Sequence, residues 1–211
     1  GLQEQLIRRL NETGKPTVVI IISGRPLSVR YAAEHVPAIV NAWEPGQYGG
    51  QAIAEILYGK VNPSAKLAMT MPRHAGQIST WYNHKRSAFF HPAVCTDNTP
   101  LYPFGHGLSY TTFRYTDLQL SQASIPNDGK TPITARVTIE NTGQRDGVEI
   151  CQLYINDVVA SVARPVKELK DFRRVALKAG EKKTIEFTIT PDKLAFYDLN
   201  MKSVVEAGAF E

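Results

Sequence analysis

The chain has 211 residues, of which 43% are hydrophobic and 21% are charged, which is ordinary for globular proteins and allows a core of useful size. The formal net charge is +4, and the 24 basic and 20 acidic residues are interspersed, so charge alone does not indicate a nucleic-acid partner. No apolar run approaches the roughly 20 residues needed to span a bilayer, and no signal peptide is visible.

The first 60 residues predict an alternation of helices and strands. Apolar side chains share one helical face over residues 2–10, and Gly14 ends this first helix. The continuous β-branched run at 17–23 predicts a strand buried on both faces, as in parallel sheets. A short helix at 29–35, a second buried strand at 38–43 and a helix at 51–58 follow. This order predicts an α/β layer with a parallel sheet that lacks its beginning.

The loop 44–50 opens the last of these helices and allows two interpretations. Free N–H groups at a helix start could bind an anion, but the loop matches neither the dinucleotide fingerprint nor the phosphate-loop pattern. We favour a tight strand-to-helix turn whose glycines allow close packing.

Residues 66–71 predict one further strand, and residues 73–110 then lose all periodicity. A long aperiodic stretch in a compact domain indicates a functional loop or a linker. Four of the five histidines lie in it, and His35 is the fifth. Because their spacing does not fit a metal site, we expect no metal there. No cofactor is expected either.

From residue 115 onward, apolar and polar residues alternate with a period of two. The alternation predicts strands at 117–120, 133–139, 149–155 and 184–189, separated by turn signals. Short strands at this spacing indicate an antiparallel β-sandwich of the immunoglobulin or fibronectin III type. The basic stretch 164–183 contains interrupting acidic residues and predicts a bulged strand, so we expect a solvated sheet face and no nucleic-acid binding.

Two cysteines, Cys95 and Cys151, are too few for a disulfide framework, and whether they pair stays open. Cys151 lies in an apolar run, which favours a buried free thiol.

The sequence contains no recognisable set of catalytic residues. Glycosidic hydrolysis requires paired carboxylates, and no local feature marks a pair among the candidates Glu44, Glu55, Asp97 and Asp198. The segment 107–111 (GLSYT) lacks the second glycine of a serine nucleophile elbow.

One aromatic loop combines the chemistry that sugar recognition needs. Aromatic rings stack on the C–H faces of sugars, and polar side chains bond the hydroxyl groups. The same residue types also hold two domains together in proteins. Sugar binding and domain packing therefore both stay open as interpretations of this loop. The candidate substrate-binding residues are Trp81, Tyr82, Asn83, His84 and Arg86.

Five segments together resemble glycoside hydrolase family 3, in the family's order and across essentially the whole chain. They are residues 41–59 (NAWEPGQYGGQAIAEILYG), 62–72 (NPSAKLAMTMP), 76–84 (GQISTWYNH), 101–113 (LYPFGHGLSYTTF) and 161–170 (SVARPVKELK). The fourth is the most specific, and in that family it leads into a fibronectin III-like domain. The sequence departs from the family at Ala65, where glycine is frequent, and at Glu44, where aromatic or small residues are common.

The resemblance implies three regions. Residues 1–75 are expected to form the C-terminal part of the family's α/β sandwich domain, and residues 76–114 an ordered aromatic linker. Residues 115–211 are expected to form a fibronectin type III-like domain whose last strand is truncated. We interpret both ends of the sequence as cuts through a longer protein.

The resemblance also implies a parent enzyme that is a retaining, exo-acting β-glucosidase-type hydrolase, periplasmic or extracellular. In the family, the nucleophilic aspartate lies in an N-terminal barrel, and the acid/base glutamate is expected just upstream of residue 1. We therefore expect no catalytic residue in this chain, which would be an inactive supporting part. A carbohydrate- or subunit-binding module is the alternative.

The expected partners follow from this assignment. They are the β-glucoside or oligosaccharide substrate of the parent, its missing barrel, and the remainder of the α/β domain. A half-sheet without its neighbours would expose an apolar patch, which could support a homodimer. Neither nucleic acid nor a membrane span is expected.

Overall fold

A computed structural model describes residues 1–77, 80–86, 97 and 99–211. They divide into two compact units. The first contains Gly1–Val61 and the described residues of Leu67–Tyr82 and His91–His106; the second contains Asn62–Lys66, the described residues of Asn83–Phe90, and Gly107–Glu211. The predictions that concern Cys95 and His91 lie outside the described residues.

The first unit is an α/β arrangement around a small parallel sheet. Its elements are α1 (Leu2–Asn11), β1 (Val18–Ile22), α2 (Arg30–His35), β2 (Ala38–Trp43) and α3 (Gly49–Leu57). Strands β1 and β2 pair in parallel, from Val18 opposite Ala38 to Ile22 opposite Trp43. Gly14 has a φ of 70° just beyond α1, a conformation that glycine adopts without strain. The predicted order of helices and strands is confirmed.

The prediction that β1 is buried on both faces is wrong. Ile21 is buried, whereas Val18, Ile20 and Ile22 are all exposed. No residue of α1 is buried, and its leucines Leu2, Leu6 and Leu10 are exposed as well. The β-branched run is suited to a sheet covered on both sides, but the described elements of this chain cover only one side of β1.

The predicted strand at 66–71 is also wrong. The backbone here makes separate contacts with residues 101–106 instead of a continuous ladder. Leu67 donates to the His106 carbonyl at 2.7 Å, and Met71 forms an isolated bridge with Tyr102. Met71 is 2% exposed and Met69 is 49% exposed, so the apolar pattern of the segment reflects the burial of single side chains without regular strand pairing.

The described part of the aperiodic stretch contains no α-helix and no extended strand, and a side-chain cluster joins parts of it. Arg73 Nε lies 3.0 Å from Asp97 Oδ2 and donates to the Thr99 carbonyl at 2.9 Å. Ser28 Oγ donates to the Arg73 carbonyl at 2.6 Å. These contacts take the place of a regular backbone ladder for this stretch.

The second unit is an antiparallel sandwich. Its elements are β3 (Phe113–Leu120), β4 (Ile133–Asn141), β5 (Gly147–Ile155), β6 (Glu168–Leu177), β7 (Lys182–Ile189), α4 (Pro191–Leu194), β8 (Phe196–Tyr197) and β9 (Ser203–Val204). One sheet has the order β3-β4-β7, and separate pairs are formed by β5-β6 and β8-β9. The predicted bulge is present, because Leu153 pairs with Asp171 and Tyr154 with Leu169, which leaves Lys170 as an extra residue in β6. Phe210 forms an isolated bridge with Asp157.

The core of the second unit lies between its sheets. It contains Ile139 from β4, Cys151 from β5, Leu177 from β6 and Phe187 from β7. Cys151 is a free, buried thiol, as predicted. Asn141 is fully buried and satisfies its amide inside this core: its Oδ1 accepts from Thr111 Oγ1 at 2.6 Å, and its Nδ2 donates to the Leu177 carbonyl at 3.2 Å.

Candidate functional site

The two aromatic residues of the predicted loop belong to the first unit and differ in exposure. Trp81 is 69% exposed, so its ring is available to a ligand. Tyr82 is half-buried and stacks on Phe104, with ring centroids 4.1 Å apart and planes inclined by 14°. One face of the Tyr82 ring is therefore occupied, and Trp81 is the more accessible platform of the two.

The polar residues of the same loop belong to the second unit. The His84 carbonyl accepts from the Val166 N–H at 3.0 Å, and Lys85 forms an isolated bridge with Pro165. His84 Nδ1 lies 3.1 Å from the Lys85 carbonyl and is positioned to donate to it. Asn83 and Arg86 are exposed. The division between the units falls between Tyr82 and Asn83, so the structure places the five candidates in two groups.

The carboxyl ends of β1 and β2 form a second group, of which the sequence interpretation named only Glu44 and the loop 44–50. The strands are parallel, so Ser23–Arg25 and Glu44 emerge at the same edge of the sheet. Ala42 is an extra residue, because Ile21 pairs with Asn41 while Ile22 pairs with Trp43. Directly after this bulge, Trp43 has a φ of 52°. Glycine and asparagine are the residues expected in that conformation, so nothing in the sequence pointed to a tryptophan there.

Two contacts join the loops at this edge. The Ser23 N–H donates to the Trp43 carbonyl at 3.0 Å. The Glu44 side chain lies over Gly24 so closely that a Cβ at Gly24 would be 2.6 Å from Glu44 Oε1. Gly24 is therefore needed for this close approach. The next loop is equally tight, since a Cβ at Gly49 would be 2.5 Å from Pro45 Cγ, in agreement with the predicted close-packed turn.

A buried ionic group lies in the second unit. Lys66 Nζ is 3.1 Å from Glu149 Oε2 and donates to the Gly107 carbonyl at 3.0 Å. The Tyr115 hydroxyl donates to Glu149 Oε1 at 2.9 Å. Burial raises the pKa of Tyr115 above its ordinary value and raises the pKa of the Cys151 thiol to about 11. The Tyr115 hydroxyl and the Cys151 thiol therefore stay protonated near neutral pH, which suits a structural role better than proton transfer.

The described residues also contain a shallow groove of about 390 Å³ at the neighbouring edges of β6 and β7. Its lining includes Arg173, Arg174 and Lys183, and none of the predicted substrate-binding residues. Within residues 1–77, 80–86, 97 and 99–211, no three histidine, cysteine or acidic side chains are grouped so that they could hold a metal ion.

Comparison with protein families decides the assignment. The profile of the glycosyl hydrolase family 3 C-terminal domain matches residues 1–110, and that of the fibronectin type III-like domain matches residues 149–211. The chain belongs to glycosyl hydrolase family 3. This family 3 chain thus has the α/β and all-β organisation that the resemblance implied.

Curated relatives of this family 3 chain are β-xylosidases and β-glucosidases. A β-xylosidase from Formosa agariphila is 43% identical over 214 residues, covering 100% of this chain and 29% of the relative. A periplasmic β-glucosidase from Salmonella typhimurium is also 43% identical, covering 99% of this chain and 28% of the relative. The chain therefore spans less than a third of the length of these proteins.

Solved structures agree in fold with this family 3 chain. A β-glucosidase from Erythrobacter marinus has a TM-score of 0.94 at 45% identity, over 100% of this chain and 28% of that one. A Listeria innocua β-glucosidase, solved in complex with laminaribiose, has a TM-score of 0.86 at 39% identity, over 99% of this chain and 30% of that one. In the part of the chain that the structure describes, no helix has the length and apolarity to cross a membrane.

Proposed function

We propose that this chain is the C-terminal, supporting part of a retaining, exo-acting β-glycosidase that releases terminal sugars from β-glucosides or related β-glycosides. The observation that carries this proposal is full coverage of the chain by β-glucosidases and β-xylosidases of which it spans 28–30%. The remaining length of such enzymes is where we place both catalytic carboxylates. A retaining glycosidase needs two carboxyl groups about 5 Å apart, and a part without them cannot form the glycosyl-enzyme intermediate.

The proposal divides the chain at residues 75 and 114. Residues 1–75 would belong to the α/β sandwich domain, residues 76–114 would form the aromatic linker, and residues 115–211 the fibronectin type III-like domain. The exposed apolar residues of α1 and β1 support a missing partner for the α/β part, either the rest of its own domain or a second copy of the chain. A periplasmic or extracellular location is supported by the Salmonella relative, whose name places it in the periplasm.

A domain exchange tests the proposal. The corresponding region of the Erythrobacter marinus β-glucosidase would be replaced by this chain, and hydrolysis of a nitrophenyl β-glucoside would be measured. We expect the chimera to hydrolyse the substrate, and the same enzyme with the region deleted to be inactive. A folded chimera without activity would contradict the assignment.

The second candidate is a carbohydrate-binding module, and the exposure of Trp81 favours it. For this second function, the ligand would be a β-linked oligosaccharide such as the laminaribiose bound by the Listeria relative. The residues that contact it would be Trp81, Tyr82, Asn83, His84 and Arg86. Titration of the chain with that sugar, with Trp81→Phe as the matched variant, separates this function from a purely supporting one.

A further inference from the structure

The strongest backbone anomaly in the described part of the first unit is Trp43. A left-handed backbone is strained for a non-glycine residue, and it is a genuine outlier for a bulky side chain. Such strain persists where the surrounding structure requires it, and it concentrates at binding and catalytic sites. The bulge at Ala42 immediately before Trp43 is a second irregularity of the kind that re-aims side chains beside active sites.

The position of this anomaly in the sheet is informative. In open α/β sheets, ligands bind beyond the carboxyl ends of the parallel strands. Trp43 is the last residue of β2, and Gly24–Arg25 follow the neighbouring end of β1. The Ser23–Trp43 hydrogen bond joins the two loops at this edge, and the Glu44 side chain lies over Gly24.

The side chains at this edge have the composition of a sugar-binding surface. Arg25, Glu44 and Gln47 are exposed, and the described chain supplies no hydrogen-bond or ion-pair partner to any of the three side chains. Tyr48 is 72% exposed beside them. A guanidinium, a carboxylate and an amide offer donors and acceptors to hydroxyl groups, while the aromatic rings offer apolar faces. We call Arg25, Trp43, Glu44, Gln47 and Tyr48 the carboxyl-edge surface.

We propose that the carboxyl-edge surface binds a sugar unit of the β-linked oligosaccharide on which the parent enzyme acts. This inference rests on the proposed function, and it adds a contact surface distinct from the Trp81–Arg86 loop. The bulge and the left-handed Trp43 direct Glu44 across Gly24, where its carboxylate can accept hydrogen bonds from sugar hydroxyls. Arg25 donates to the same sugar from the adjacent loop.

The two tryptophans of the chain provide one probe for each candidate surface, since Trp43 and Trp81 are its only two. The experiment records the two indole N–H signals by NMR in the full 211-residue chain, with Trp81→Phe used to assign them. Cellobiose is the β-linked probe and maltose is the α-linked control. We expect the Trp43 signal to move saturably at millimolar cellobiose and to respond less to maltose.

Conservative variants link the signal to the surface. Glu44→Gln and Arg25→Gln should each weaken cellobiose binding at least about fivefold, which corresponds to about 1 kcal/mol. Glu12→Gln changes an exposed carboxylate at the end of α1 and should leave binding unchanged. A Trp43 signal that stays fixed overturns the inference, whether or not Trp81 responds. Such a result together with an active domain-exchange chimera would leave the proposed function standing, whereas an inactive chimera would count against that function alone.

Discussion

Lys66 is a residue whose role emerges only from the structure. The sequence placed it at the start of a strand, but its ammonium group forms an ion pair with Glu149, and both side chains are largely buried. Tyr115 completes the group by donating to the same carboxylate. A contact between residues 66 and 149 cannot be read from local periodicity, since it depends on the tertiary path of the chain.

Replacing Lys66 tests how much this ion pair contributes to the free energy of unfolding. Lys66→Met leaves the Glu149 carboxylate buried without its cation, and we expect a loss of about 3 kcal/mol in the free energy of unfolding. Urea denaturation followed by circular dichroism measures it. The matched control is Lys60→Met, which removes an exposed ion pair with Glu55. This variant should leave the midpoint of urea unfolding unchanged. Equal effects of the two variants would contradict the structural role of Lys66.

The backbone of Trp43 gives a second prediction at this scale. Glycine adopts a φ of 52° without strain, whereas alanine does not. Trp43→Gly should therefore retain about 1 kcal/mol more stability than Trp43→Ala, against the usual ranking of the two residues in a strand. Urea unfolding of both variants measures the difference. A more stable alanine variant would show that the left-handed conformation is absent in solution.

At the scale of elements, periodicity predicted the helices and the sandwich strands well, because local residue patterns determine those features. It failed at β1 and at residues 66–71. Burial of β1 depends on neighbouring elements that the described chain does not supply. In residues 66–71 only Met71 is buried, and residues 101–106 contact the segment at separate points without forming a ladder. Of the candidate site, residue chemistry predicted the exposed Trp81, but no local pattern predicts a left-handed tryptophan.

The sandwich core predicts a specific response to alkaline pH. Burial raises the pKa of the Cys151 thiol to about 11, above its unfolded value of about 8.5. The stabilisation from the neutral thiol is thus complete below about pH 8.5 and is lost as the pH rises through about 11. Burial of Tyr115 acts in the same direction. Thermal unfolding from pH 8 to 11 should show a steeper fall for the natural chain than for Cys151→Val. If thermal stability fell equally with pH in the natural chain and in Cys151→Val, the Cys151 thiol would not be the cause.

At the scale of the whole molecule, the exposed apolar faces of α1 and β1 predict self-association. Leu6 is 59% and Ile22 is 63% exposed, and both lie among further exposed aliphatic residues. Such surfaces are seldom left open to water in a stable monomer. Sedimentation velocity should show a rise in apparent mass with concentration, which Leu6→Lys combined with Ile22→Thr suppresses. Leu199→Lys, which alters a leucine of the second unit that is 85% exposed, should have no effect. A monomer at every concentration would count against the prediction.

We propose that this family 3 chain supports a glycosidase without carrying its catalytic carboxylates. The most direct measurement is hydrolysis of nitrophenyl β-glucoside and nitrophenyl β-xyloside by the purified 211-residue chain. We predict release of nitrophenol no faster than in buffer at every pH tested. Turnover that follows chain concentration and is lost when one carboxylate, such as that of Glu44, is replaced would contradict the claim and place a catalytic group within these residues.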